Sequence, residues 1–126
     1  MEKAYICSPL SGNTKENLKN AVAYARFVFD RCGMIPVMSH FYVLILDDDI
    51  EFERKIGTSL GLEMILDAKH MWVFGDTITL GMKDEIRLAE SLKRVIHYVS
   101  DEQCEEILNK YGGYAHEKNK EFEIAI

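Results

Sequence analysis

One acidic side chain is set apart by the helix that carries it. Over Gly81 to Arg94, Met82, Ile86, Leu88, Ala89 and Leu92 make one apolar face at ~100° per residue. On the same wheel Glu85 lies roughly 30° from the centre of that face. Lys83, Asp84, Arg87, Ser91 and Arg94 gather on the other side. A carboxylate aimed at an apolar interior is costly unless something compensates it. Glu85 therefore reads either as a structural residue, capping amides or pairing a buried cation, or as the wall of a pocket. In a pocket it has two uses: nucleophile or general base toward an anomeric carbon, or acceptor for a ribose diol.

The loop Gly75-Asp76-Thr77-Ile78-Thr79-Leu80-Gly81 leads into that helix. Hydroxyls of Thr77 and Thr79, with backbone N–H groups around Gly75, Gly81 and Met82, suit a phosphate or another anion at a helix start. The G-x-x-x-x-G-K-[ST] pattern is absent, so this is not a Walker loop. Ser8-Pro9-Leu10-Ser11-Gly12-Asn13 supplies two hydroxyls, an amide and a glycine directly after an apolar run. Either loop also reads as an ordinary turn. His40 follows a second apolar run, placed for base stacking or a phosphate contact as well as for a structural role. Gly57 and Gly61, one turn apart in a helical stretch, each cost about 0.8–1.0 kcal/mol against alanine. They suggest close backbone approach to another helix or to a ligand, and the reading favoured for them is tight helix packing, between subunits included. Asp47-Asp48-Asp49 lacks calcium-loop spacing, and no His/Cys cluster suggests zinc, so no metal and no cofactor are expected.

The elements that position these groups follow from periodicity. Ala4 to Cys7 reads as a short buried strand. Leu18, Ala21, Val22, Ala25, Val28, Phe29 and Cys32 give the 3.6-residue period of a helix over Thr14 to Cys32, stopped by Gly33. Ile35 to Met38 is a second strand, Phe41 to Leu46 a helical turn or a lid, and Ile50 to Asp67 a helix whose positive end the three aspartates suit. Met71 to Phe74 and Val95 to Val99 are further strands, the latter after the Gly81 to Arg94 helix. Ser100 with Gln103 matches a capping box opening a helix that turns Cys104, Ile107, Leu108 and Tyr111 inward and ends at Gly112-Gly113. The apolar Phe122 to Ile126 in the 114–126 tail reads as an edge strand or a subunit contact.

Strands alternating with helices predict α/β architecture with right-handed crossovers and a parallel sheet of four to five strands. Ligands in such sheets sit outside the carboxyl ends of the strands. That places Ser8 to Asn13, Ser39-His40, Gly75 to Glu85 and the surroundings of Ser100 at one rim. A chain of 126 residues is one domain, with an ordinary 48% hydrophobic content. The net charge of −6 argues against a dedicated nucleic-acid binder. No run approaches the ~20 apolar residues of a membrane span, and no signal-peptide core follows Met1. Cys7, Cys32 and Cys104 share no paired spacing and read as reduced thiols, which fits a cytoplasmic protein.

In order along the chain, several segments resemble the nucleoside 2-deoxyribosyltransferase-like superfamily, its small bacterial and phage members above all. They are Tyr5 to Gly12, Ala23 to Arg26, Ile35 to His40, Leu46 to Asp48, Gly57 to Leu62, Met71 to Gly75 and Gly81 to Ile86. The resemblance implies a flavodoxin-like three-layer fold and homo-oligomers whose neighbouring subunits complete each site. It implies that Glu85, four residues after Gly81, attacks C1′ of a nucleoside and displaces the base. Thr79 falls where nucleotide-hydrolysing members place a phosphate-binding serine and transferases a base-binding aspartate. Two positions depart from the pattern. Gly61 stands where catalytic members carry the aspartate that helps protonate the leaving base, and Lys69 where many carry an aspartate before the third strand. The expected function is accordingly a nucleoside deoxyribosyltransferase or nucleotide N-glycosidase. Its alternatives are a protein that sequesters a nucleotide signal, as in phage anti-defence, or a scaffold with a vestigial pocket.

Overall fold

A computed structural model of the chain describes residues 1–113; the tail from 114 to 126, with its expected edge strand or subunit contact, lies outside the described residues. Four strands form one all-parallel sheet: β1 (Lys3–Cys7), β2 (Ile35–Val37), β3 (His70–Phe74) and β4 (Val95–Val99), in the order β2-β1-β3-β4. The central strands β1 and β3 are apolar nearly throughout because helices cover both of their faces. The edge strand β2 holds Pro36, which such a position tolerates since its outer side needs no ladder donor.

Alternation along β1 decides what faces which layer. Ala4 and Ile6 join the core with Tyr24 and Val28 of α1 (Thr14–Cys32) and with Cys104, Ile107 and Tyr111 of α4 (Asp101–Tyr111). Tyr5 and Cys7 face the opposite core, with Ile65 of α2 (Glu51–Asp67) and Met82 and Ala89 of α3 (Leu80–Ser91). The result is the flavodoxin-like three-layer α/β sandwich expected from sequence. In it Tyr24 stacks on Phe74 at 4.3 Å between ring centroids. No described helix is long and apolar enough to cross a membrane.

Boundaries follow local chemistry. Gly33 ends α1 in the left-handed conformation, φ 65°, with its N–H bonded to the Val28 carbonyl. The Phe41 to Leu46 stretch resolves into a 3-10 helix, η1 (Ser39–Leu44). Asp47 to Asp49 make a turn of their own, the Asp49 N–H donating to Asp47 Oδ1 at 2.9 Å, and the acidic first turn of α2 is Glu51 and Glu53. Helix α3 is shorter than the predicted Gly81 to Arg94. Thr79 caps its start, Lys93 beyond its end has φ 57°, and Arg94 instead donates to the Leu66 carbonyl at 2.8 Å.

The capping box of α4 is present in full: Ser100 Oγ accepts from the Gln103 N–H and Gln103 Oε1 from the Ser100 N–H. Ser100→Ala is expected to cost about 1 kcal/mol, read as a lower urea midpoint at unchanged slope.

Candidate active site

In the order β2-β1-β3-β4 the chain leaves β1 in one direction for β2 and returns to the other side for β3. The reversal between β1 and β3 opens a crevice at their carboxyl ends, where ligands of this architecture bind. The loops Ser8–Asn13 and Gly75–Thr79 both spring from that point. Gly75 makes its turn at φ 101°, which a side chain would strain.

Two cavities flank the reversal, and Ser8 borders both. The larger, about 340 Å³, lies on the α2/α3 side. It brings together Ser8, Leu10, Ser11, His40, Thr79 and Glu85 from the sequence-derived set, with Gly81 and Met82 at the start of α3. The smaller, about 140 Å³, lies on the α1/α4 side and takes Pro9, Gly75 and Thr77 beside Asn17, Tyr24 and Asp101. Gly12 and Asn13 line neither cavity. The candidate residues thus divide between the two faces of the sheet.

Glu85 turns its carboxyl inward, as its wheel position predicts. Tyr5 Oη donates to Glu85 Oε2, and Cys7 Sγ lies 3.6 Å from Oε1. Both partners are fully buried and stand two residues apart on the same face of β1. Burial pushes the Glu85 carboxyl up to about 7, and Asp84 adds to the rise, while hydrogen bonds from Tyr5 and Cys7 oppose it. Burial and the neighbouring carboxylate hold the Tyr5 phenol and the Cys7 thiol well above their ordinary ranges, so both remain protonated donors. The single thiol proton has a second acceptor, the Met82 carbonyl at 4.0 Å. Oε1 is therefore the oxygen more readily released toward a ligand.

His40, 2% exposed, closes the back of the cavity. Its Nε2 sits 3.1 Å from the Ser8 carbonyl, 3.3 Å from the Pro9 carbonyl and 3.2 Å from Ser8 Oγ. Burial depresses its pKa, so the ring is neutral with the proton on Nε2, and it braces the β1 loop. Thr79 Oγ1 accepts from the Met82 N–H at 3.3 Å, a cap that occupies part of the hydroxyl's capacity for an anion.

Sequence reasoning placed Ser39 at the rim without giving it a role and did not single out Tyr5, Cys7, Tyr42, Arg54 or Thr58, although all of these but Tyr5 and Cys7 line this cavity. Arg54 is the only cationic side chain among the described lining residues, which also include Asp48, Asp84 and Glu85. At Gly61 the expected tight helix packing is present, α2 seating against η1. A Cβ there would meet Ser39 Cβ at 3.1 Å and Tyr5 Oη at 3.4 Å, so the close approach is to the site's own hydroxyls. The corresponding point at Gly57 is an ordinary 3.5 Å contact with Leu46. Among the described residues no His/Cys/Asp/Glu group is arranged to hold a metal ion.

The arrangement is a half-buried acid of near-neutral pKa, held at one oxygen by a phenol and at the other by a thiol, on the wall of a pocket with apolar and hydroxyl-bearing sides. It can attack or deprotonate an electrophilic carbon, or accept hydrogen bonds from a diol. No curated protein matches the chain. The family described as a domain of unknown function (DUF7768) matches residues 2–99, and the chain belongs to it. The matched span holds the whole sheet and every residue lining the Glu85 cavity, and stops before α4.

Proposed function

We propose that this family member binds a nucleoside or nucleotide in the Glu85 cavity and cleaves or transfers its N-glycosidic bond, Glu85 being the nucleophile toward C1′. The observation that carries the reading is the Glu85 carboxyl itself, held on both oxygens by β1 at the edge of a cavity of about 340 Å³. That volume falls in the ~300–1,000 Å³ range of small-molecule sites. Near-neutral titration leaves Glu85 available as acid or as carboxylate at the working pH. Val43, Leu46 and Leu62 offer an apolar wall to a base, and Ser8, Ser11 and Thr58 offer hydroxyls to a sugar or phosphate. The Gly81-to-Glu85 spacing that resembles the deoxyribosyltransferase-like superfamily points the same way. In the same reading the protein works in the cytoplasm, in line with its free Cys7, Cys32 and Cys104. It does so as a homo-oligomer, in line with exposed Phe41, Leu44, Ile45 and Phe52 beside the cavity.

A second reading, capture of a nucleotide signal without turnover, is favoured by Gly61, which offers no acid to a departing base. Incubation with a panel of deoxynucleosides and deoxynucleotides separates the two. Free base from the wild type, and none above background from Glu85→Ala, supports cleavage or transfer. A ligand recovered intact from the denatured complex supports capture. Neither release nor binding of any panel member ends both.

A further inference from the structure

The hydroxyls beside Gly61 form a line. Ser39 Oγ is 3.0 Å from Tyr5 Oη, and Tyr5 Oη is bonded to Glu85 Oε2. Ser39 lines the cavity, whereas Tyr5 is sealed beneath it. A phenol has one proton, so the line has two states. With Glu85 ionised, Ser39 donates to Tyr5 and Tyr5 to the carboxylate. With Glu85 protonated, the direction reverses: Glu85 donates to Tyr5, Tyr5 to Ser39, and the Ser39 proton is presented to the cavity.

We infer that Ser39, acting through Tyr5, gives the leaving base the proton that an acid at position 61 would otherwise supply. The inference rests on the cleavage reading above and accounts for its departure at Gly61. Gly61 is no vacancy in the machinery: a Cβ there would lie 3.1 Å from Ser39 Cβ, 3.4 Å from Tyr5 Oη and 3.5 Å from Ser39 Oγ, so the relay fills the space an acid would take.

The step balances without a co-reactant. Glu85 begins as the neutral acid. As the C1′–N bond breaks, its electron pair leaves on the base nitrogen, which takes the proton of Ser39 Oγ. Ser39 takes the proton of Tyr5 Oη, and Tyr5 takes that of Glu85 Oε2. The carboxylate so formed closes Oε1 onto C1′. One C–O bond replaces one C–N bond, and base and glycosyl ester are both neutral. The other ionisable groups facing the carboxyl are the Cys7 thiol from β1, which stays protonated, and Asp84 from α3. Across the cavity stand Asp48 and Arg54, and His40 is neutral.

The test compares leaving groups and reads the carboxyl directly. Ser39→Ala should lower release of a natural purine by ~10²–10⁴-fold. At pH 8, where Glu85 is already the carboxylate, it should leave near wild-type cleavage of a nitrophenyl 2-deoxyriboside, whose phenolate departs without a proton. By carboxyl NMR the Glu85 midpoint should rise in Ser39→Ala, because Tyr5 loses the donor that strengthens its own donation. Tyr5→Phe breaks the line at its centre and also removes the donor to Glu85 Oε2, so it should lower cleavage of both substrates, that of the purine by the larger factor. Equal losses on both substrates, no loss on either, or an unmoved Glu85 midpoint would overturn the relay while leaving Glu85 as nucleophile intact. No release by the wild type from either substrate overturns the cleavage reading and the relay with it.

Discussion

Glu85→Gln is expected to make the protein more stable at pH 8, by about 3 kcal/mol, while removing its chemistry. The carboxyl titrates near 4.5 in the unfolded chain and is pushed up to about 7 in the fold, chiefly by burial. The folded state therefore binds the proton more tightly, and stability attached to this group is fully present below pH 4.5 and lost as pH rises through 7. A rise of this size corresponds to about 3 kcal/mol at 1.36 kcal/mol per unit. Glutamine keeps an oxygen to accept from Tyr5 and carries no charge to desolvate. Urea unfolding should place the variant above the wild type at pH 8, with a gain in melting temperature on the order of 10 °C. The two curves should converge only below about pH 4.5. A constant difference across that range would show that the carboxyl is not the source. Stability given up at one position is what the role proposed for this acid in an apolar wall implies.

This acid was legible in the sequence because α3 is amphipathic, and one misplaced charge stands out against a clean helical period. Its partners were not. Every residue of β1 from Ala4 to Cys7 is apolar or aromatic and buried, so the strand shows no alternation to reveal which helix layer the face shared by Tyr5 and Cys7 meets. The rim position of Ser8 to Asn13 and Gly75 to Thr79 followed from the rule for parallel sheets. Their division between two cavities depends on which helix covers which face, and that is settled by α1 and α4 packing together against Ala4 and Ile6. The shortened α3 turned on the left-handed backbone of Lys93, for which a lysine gives no warning. Ser39 and Gly61 belong to different elements, and only the seating of η1 against α2 brings them together.

That contact yields the second large effect. Gly61→Asp, which restores the side chain that the resemblance expects, should destabilise the protein by about 3 kcal/mol at neutral pH. A glycine inside a helix costs about 1 kcal/mol against alanine, so filling it would help if the space were free. Instead the first added carbon lies 3.1 Å from Ser39 Cβ, and overpacking of a tight site typically costs ~1–3 kcal/mol. The new carboxylate would also compete for the single Tyr5 proton and raise the already perturbed Glu85 by like charge. Removing the obstacle separates these causes. In Ser39→Gly/Gly61→Asp the steric part disappears and the charge part remains, so the pair should couple by ~0.5–3 kcal/mol in a double-mutant cycle. Full additivity would mean that Ser39 and position 61 do not compete for one place. Coupling with base release regained in the double variant, and absent in either single one, would show that two hydroxyls and one aspartate are alternative answers to the same chemical demand.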